Sequence, residues 1–186
     1  MERRSFIAST LALTIVVASA EAMGIKNAYK SPKKRVFVKA GEDRFNEHIM
    51  YQGVNFNDIK VSTKDTDGQF CVYEYVGLQK VGPPLHIHLN QDEFFYIIEG
   101  SYLFQVGDER QTLKAGDTVF LPRNIPHTWL QLTDKGKLLY LTQPAGTMEA
   151  FFSKMSSFKT MPTQEEIGKI FAAHELRLVG PPLAAD

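Results

Sequence analysis

Cysteine is almost missing from this chain: Cys71 is the only one among 186 residues. That excludes an intramolecular disulfide and any zinc cluster built on cysteines. Its place inside the strand-like run 70–76 reads as a buried structural thiol. Net charge is missing too, with 21 basic and 21 acidic residues, so nucleic acid is not an expected partner. No glycine-rich phosphate loop joins a strand to a helix, and there is no Gly-x-Ser-x-Gly elbow. No internal repeat or low-complexity tract is visible. No apolar run comfortably reaches the roughly twenty residues of a membrane span. What is present is ordinary globular composition, 44% hydrophobic and 23% charged, at a length that suits one domain.

Residues 1–20 read as an export signal to be set aside from the fold. Arg3 and Arg4 precede an apolar run over 6–17, and Ala18-Ser19-Ala20 is a small-residue cleavage site. Arg3-Arg4-Ser5-Phe6-Ile7 resembles a twin-arginine export signal; an ordinary secretion signal and an uncleaved anchor are the alternatives. Cleavage after Ala20 removes Arg3, Arg4 and Glu2 and leaves a net charge of minus one. The expectation is an exported protein, periplasmic or secreted, with no stable membrane insertion after cleavage. Residues 21–47 follow as a basic arm carrying Lys26, Lys30, Lys33, Lys34, Arg35 and Lys39. It reads as a solvated segment with one candidate edge strand at 35–38.

From 48 to 145 the text is that of an all-β domain. Runs rich in Val, Ile, Phe, Tyr and Leu recur at 54–62, 70–76, 94–98, 102–106, 118–121 and 137–142. Turn chemistry separates them: Asp65-Thr66-Asp67-Gly68, Gly82-Pro83-Pro84, Gly107-Asp108 and Pro122-Arg123-Asn124. Many short strands at even spacing predict a sandwich or barrel. The period changes after 146. Residues 148–156 suit a short helix. Thr163 with Glu166 makes a capping box, followed by Ile167, Ile170 and Phe171 at helical spacing. Residues 146–186 are therefore expected to form a helical appendage that stops at Pro181-Pro182.

His86-Ile87-His88 is where chemistry enters. Side chains two apart on a strand share a face. Glu93 on the next strand and His127 on a later one would complete a pocket of three nitrogens and one oxygen for a divalent metal, with positions left open. Parity extends the prediction: Phe95 and Ile97 share the face of Glu93, and Trp129 and Gln131 that of His127. Phe94, Tyr96 and Ile98 are apolar on the opposite face, so that face too needs cover, from a second sheet, helices or a partner subunit. His48 and His174 lie outside this constellation.

The sequence Gly82-Pro83-Pro84-Leu85-His86-Ile87-His88, then Glu93 and Gly100, resembles the first motif of the cupin superfamily. Gly116, Pro122 and His127 resemble the second. The likeness covers roughly residues 69–143. Gly82 stands closer to His86 than the family's first glycine does, Asn124 replaces a common glycine, and Gln131 replaces a common asparagine. The resemblance implies an antiparallel jelly-roll β-barrel, with His86, His88, Glu93 and His127 holding one divalent transition metal: iron, manganese, nickel, copper or zinc. It favours a homodimer. The domain as a whole resembles small bacterial cupins likened to quercetin dioxygenase. That implies a metal-dependent oxidation of a small aromatic or enolisable substrate by dioxygen, with Glu93 serving as both ligand and proton acceptor. Tyr73, Tyr75, Phe95 and Trp129 would then contact a flat apolar substrate. A non-catalytic binding module, for a small metabolite or sugar, and a cupin isomerase or decarboxylase that uses no dioxygen are the alternatives.

Overall fold

The computed structural model describes residues 34–184 apart from positions 52 and 161. The export signal and the first part of the basic arm lie outside the described residues. Strands are numbered in chain order. One antiparallel sheet runs β1 (Met50–Tyr51), β2 (Asn55–Val61), β3 (Cys71–Gly77), β10 (Gly136–Gln143), β5 (Asp92–Glu99), β8 (Thr118–Leu121). The other runs β11 (Leu176–Pro182), β4 (Pro84–His88), β9 (His127–Gln131), β6 (Ser101–Val106), β7 (Glu109–Lys114). The two ladders stay separate and do not close into a continuously hydrogen-bonded barrel, so the domain is a double-sheet jelly roll.

Alternation decides which faces meet. In β3 the residues Cys71, Tyr73 and Tyr75 are buried while their neighbours are half-exposed. In β5 the buried set is Glu93, Phe95 and Ile97, as parity predicts. In β9 all five residues are buried, with His127, Trp129 and Gln131 on one face. The inner faces are fused by aromatic stacking: Phe95 on Tyr140 at 4.9 Å, Tyr140 on Tyr73 at 5.0 Å, and Tyr75 edge-on to Trp129 at 5.0 Å. Each such side chain removed from water is worth about 1.5–3 kcal/mol. Cys71 is fully buried between Tyr73 Oη (3.2 Å) and Thr142 Oγ1 (3.0 Å), a structural thiol.

Helix α2 spans Met148–Ser156 and helix α3 spans Gln164–Ala173. The capping box at the start of α3 is formed as its sequence predicts. Glu166 N–H donates to Thr163 Oγ1 (3.2 Å) and Thr163 N–H donates to Glu166 Oε2 (2.8 Å). A second capping box, between Ser62 and Asp65, starts the one-turn helix α1 (Thr63–Thr66), where the sequence suggested only a turn.

Two expectations are corrected. Residues 35–38 form no strand. The segment 146–186 is not wholly helical: its end is β11, which pairs Leu176, Arg177 and Leu178 with His88, Ile87 and His86. Pro181 and Pro182 do not stop a helix here. They occupy an edge strand, the one sheet position where a missing N–H costs no ladder bond. The outer face of β5 and β8 remains open. Phe94 (37%), Tyr96 (42%), Ile98 (40%) and Phe120 (57%) are exposed there.

Gly82 shows how closely the chain leading into β4 lies on its neighbour β9. A Cβ at Gly82 would lie 1.7 Å from the backbone oxygen of Trp129, whereas one at Gly168 in α3 meets nothing within 4 Å. Gly82→Ala should therefore cost about 1–3 kcal/mol, as overpacking does, lowering Tm by roughly 2–12 °C at this chain length. Gly168→Ala should raise stability by about 0.5–1 kcal/mol through helix propensity. Thermal melts of the two variants check the pair of signs.

Candidate metal centre

Strand pairing brings the ligand candidates together. His86 on β4 is the register partner of His127 on β9, and His88 shares its face. Glu93 enters from the opposing sheet, where β5 pairs with β10 through Thr142. One donor atom from each of His86, His88, Glu93 and His127 lies within 4.8 Å of all the others. His88 Nε2 stands 3.6 Å from Glu93 Oε1, and His127 Nε2 stands 3.3 Å from Glu93 Oε2. Ligands at about 2.0–2.2 Å from one ion are roughly 3 Å apart when adjacent, and the two Glu93 contacts are close to that spacing.

The imidazoles are aimed by the backbone. His86 Nδ1 lies 2.8 Å from the Pro84 carbonyl and His127 Nδ1 lies 2.9 Å from the Ile125 carbonyl. A carbonyl only accepts, so both Nδ1 atoms carry the hydrogen and both Nε2 lone pairs face the centre. His127 Nε2 is buried with no hydrogen-bond partner, a deficit that a metal ion would remove. Electrostatics agree with this assignment. Burial, reinforced by His127 and His88, holds the His86 ring well below its usual value of 6.5. Burial also lowers His88, against the pull of Glu93. Burial works to raise Glu93, but the surrounding imidazoles outweigh it and hold the carboxyl at about 2. Neutral rings at His86 and His88 beside an ionised carboxylate are protonation states that a divalent ion requires.

The loop between His88 and Glu93 is pinned from the C-terminal segment. Leu89 N–H donates to the Glu175 carbonyl (3.0 Å), Asn90 Nδ2 to Glu175 Oε1 (2.8 Å) and Gln91 Nε2 to Glu175 Oε2 (3.0 Å). Gln91 also interacts with the His88 ring. Asn124, the residue in place of a glycine, adopts φ 64° and donates its N–H to the His88 carbonyl at 2.8 Å. Asparagine tolerates that conformation better than other non-glycine residues. Gln131, in place of an asparagine, is fully buried and donates to Thr133 O at 2.9 Å.

A cavity of about 290 Å³ opens beside the cluster, touching His86, His88 and Glu93. Of the aromatic residues expected at a substrate site, Tyr75, Phe95 and Trp129 line it. Tyr73 does not: it is buried in the core between Tyr140 and Phe152, because its strand position lies against α2. The cavity roof comes from residues that sequence reasoning left unassigned, chiefly Met148, Phe151 and Phe152 on α2 and Phe171 on α3. Their helical spacing signals an amphipathic face without saying what it covers. Phe171 stands edge-on to His86 at 5.9 Å. His48 and His174 are remote from the cluster, facing Asp58 (2.9 Å) and Thr147 (3.1 Å).

Two facing antiparallel sheets around three imidazoles and a carboxylate define a jelly-roll domain with a candidate metal centre. Residues 76–142 match the cupin domain family. The structure is similar to KdgF from Halomonas sp., at TM-score 0.51 and 14% identity over 60% of this chain and 94% of that one. It is equally similar to an RmlC-like cupin from Shewanella frigidimarina, at TM-score 0.51 and 18% identity over 62% of this chain and 96% of that one. Over 43 residues the sequence is 40% identical to an uncharacterized protein of Methanocaldococcus jannaschii, a match covering 23% of this chain and 34% of that protein. At such identities the structural likenesses are likenesses of fold.

Because His86 and His88 are held below 6.5 in the fold, the unfolded chain binds protons there that the native state refuses. Stability they contribute is present above about 6.5 and is lost as pH falls. Glu93 adds a loss of the same sign between 4.5 and about 2. Urea midpoints of metal-free protein should therefore fall from pH 8 to pH 5, and fall less in a His86→Gln, His88→Gln variant. Equal slopes would contradict the assignment.

Proposed function

We propose that this chain is a metal-dependent, dioxygenase-like oxidoreductase acting on a small aromatic or enolisable substrate. The observation that carries the reading is the apolar cavity that reaches His86, His88 and Glu93 of the four-residue cluster. When bound, a divalent transition metal supplies Lewis acidity and, for the redox-active ions, access to dioxygen chemistry. The chain's own residues do the rest. His86, His88 and His127 offer Nε2 lone pairs from fixed directions. Phe95, Phe151 and Met148 keep water away from the reacting oxygen and present flat apolar surface. Glu93 takes the substrate proton. An acidified hydroxyl, such as an enol or a catechol, gives that proton up most readily. That favours the aromatic and enolisable class over unactivated alcohols.

Among the described residues no helix is long and apolar enough to cross a membrane. We propose export of the chain, on the signal-like character of residues 1–20. We also propose a homodimer through the open face carrying Phe94, Tyr96, Ile98 and Phe120.

Substituting His86 by Ala should abolish both the metal content of protein purified from its own host and oxygen uptake with flavonols or catechols. Uptake unchanged in that variant rules the oxidation out. Product formed without oxygen consumption selects an isomerase or decarboxylase, and tight binding without product selects a non-catalytic binding module. Sedimentation should give a dimer mass that Phe120→Ser shifts toward monomer; a monomeric wild type removes the dimer.

A further inference from the structure

The cavity wall away from the metal centre carries two buried polar groups with nothing to bond. Asn57 and Tyr75 are each 2% exposed, and both line the cavity. Asn57 Nδ2 and Tyr75 Oη have no hydrogen-bond partner among the described residues. Asn57 on β2 is the register partner of Tyr75 on β3. Directly opposed residues have Cβ atoms about 4.5–5.5 Å apart, so the two groups form one local pair. The Asn57 amide is oriented: Tyr140 Oη–H donates to Asn57 Oδ1 at 2.8 Å, which turns the NH₂ away from Tyr140. Tyr140 in turn stacks on Phe95, two residues along β5 from Glu93. Orphaned buried donors are rare and costly, and they are retained where something else satisfies them.

We propose that Asn57 and Tyr75 are specificity-determining residues, a pair of donors that grip an acceptor oxygen on the substrate at the end remote from the metal centre. The proposal rests on reading the cavity as the substrate site. Burial pushes the Tyr75 phenol far above its usual range, with Tyr51 and Tyr102 adding to the shift, so it remains an O–H donor. The ladder sets the span. Glu93 pairs with Thr142, and Ile97 and Tyr75 both pair with Leu138. Tyr75 therefore stands four residues along the sheet from the Glu93 level, about 13 Å of strand. Side chains from both ends reach into that interval. The ligand class is an elongated, flat, largely apolar molecule with an acidic hydroxyl at one end and a carbonyl or hydroxyl oxygen at the other.

The test compares quercetin with 3-hydroxyflavone, which share the 3-hydroxy-4-ketone but differ in remote oxygens. Binding is measured under nitrogen to the zinc-loaded protein through emission of Trp129, the only tryptophan, whose ring lies 5.0 Å from Tyr75. Wild type should prefer quercetin by about ten- to a hundredfold, the scale of one or two hydrogen bonds. Asn57→Leu and Tyr75→Phe should each erase most of that preference by weakening quercetin far more than 3-hydroxyflavone. Tyr75→Phe should also leave Tm unchanged or raised, because it deletes an unpaired buried hydroxyl. A purely structural hydroxyl would lower Tm and spare the preference. No preference in wild type, a preference untouched in Tyr75→Phe and in Asn57→Leu, or no binding of either flavonol overturns the proposal. Preference with no oxygen consumption leaves the pair standing and removes only the oxidative reading.

Discussion

A carboxylate buried among imidazoles is the constraint on which the rest of the molecule is arranged. Glu93 is 5% exposed, and an ionised carboxyl in an apolar interior is tolerated only with partners at hand. The partners come from the other sheet. His86 and His127 sit opposite one another on β4 and β9, so the distance between sheets fixes whether the carboxylate has company. A one-residue slip of β5 would turn Glu93 out to solvent and bring Phe94 in. The register through Thr142, and the inward march of Phe95 and Ile97 behind Glu93, oppose that slip with the whole aromatic core.

The C-terminal segment completes the centre without supplying a ligand candidate. Strand β11 lies against β4 and so against both His86 and His88. Glu175, at the turn from α3 into β11, holds the loop that separates His88 from Glu93. Helices α2 and α3 roof the cavity with Met148, Phe151 and Phe171. Rigid support of this kind is what keeps ligand directions fixed when no ion is holding them. The same roof makes the cavity apolar, which strengthens any electrostatic interaction inside it.

Much of this was legible. Helix α2 has the bounds its periodicity suggests, the Thr163–Glu166 box opens α3, and parity placed Phe95, Ile97, Trp129 and Gln131 inside. Strand β7 was not legible, because all its residues are polar or half-exposed and it lies at a sheet edge. Strand β11 was masked by two prolines that an edge position accommodates. The Ser62–Asp65 cap looked like a turn because one helical turn and a β-turn use the same residues. Tyr73 and Tyr75 alternate with the same parity, and nothing local to the chain could say that one borders the cavity while the other is covered by α2.

By itself, the order of residues determined what depends on near neighbours: which side chains share a strand face, His86 with His88 among them, and where helices begin. Those follow from fixed backbone periods and local hydrogen bonds. Only the tertiary structure decided what depends on distant segments meeting. It placed Asn57 opposite Tyr75, sent α2 and α3 over the mouth of the sheets, and brought Glu175 to the loop after His88. Such contacts are set by how two sheets and two helices share one core, a property of packing that no window of sequence contains.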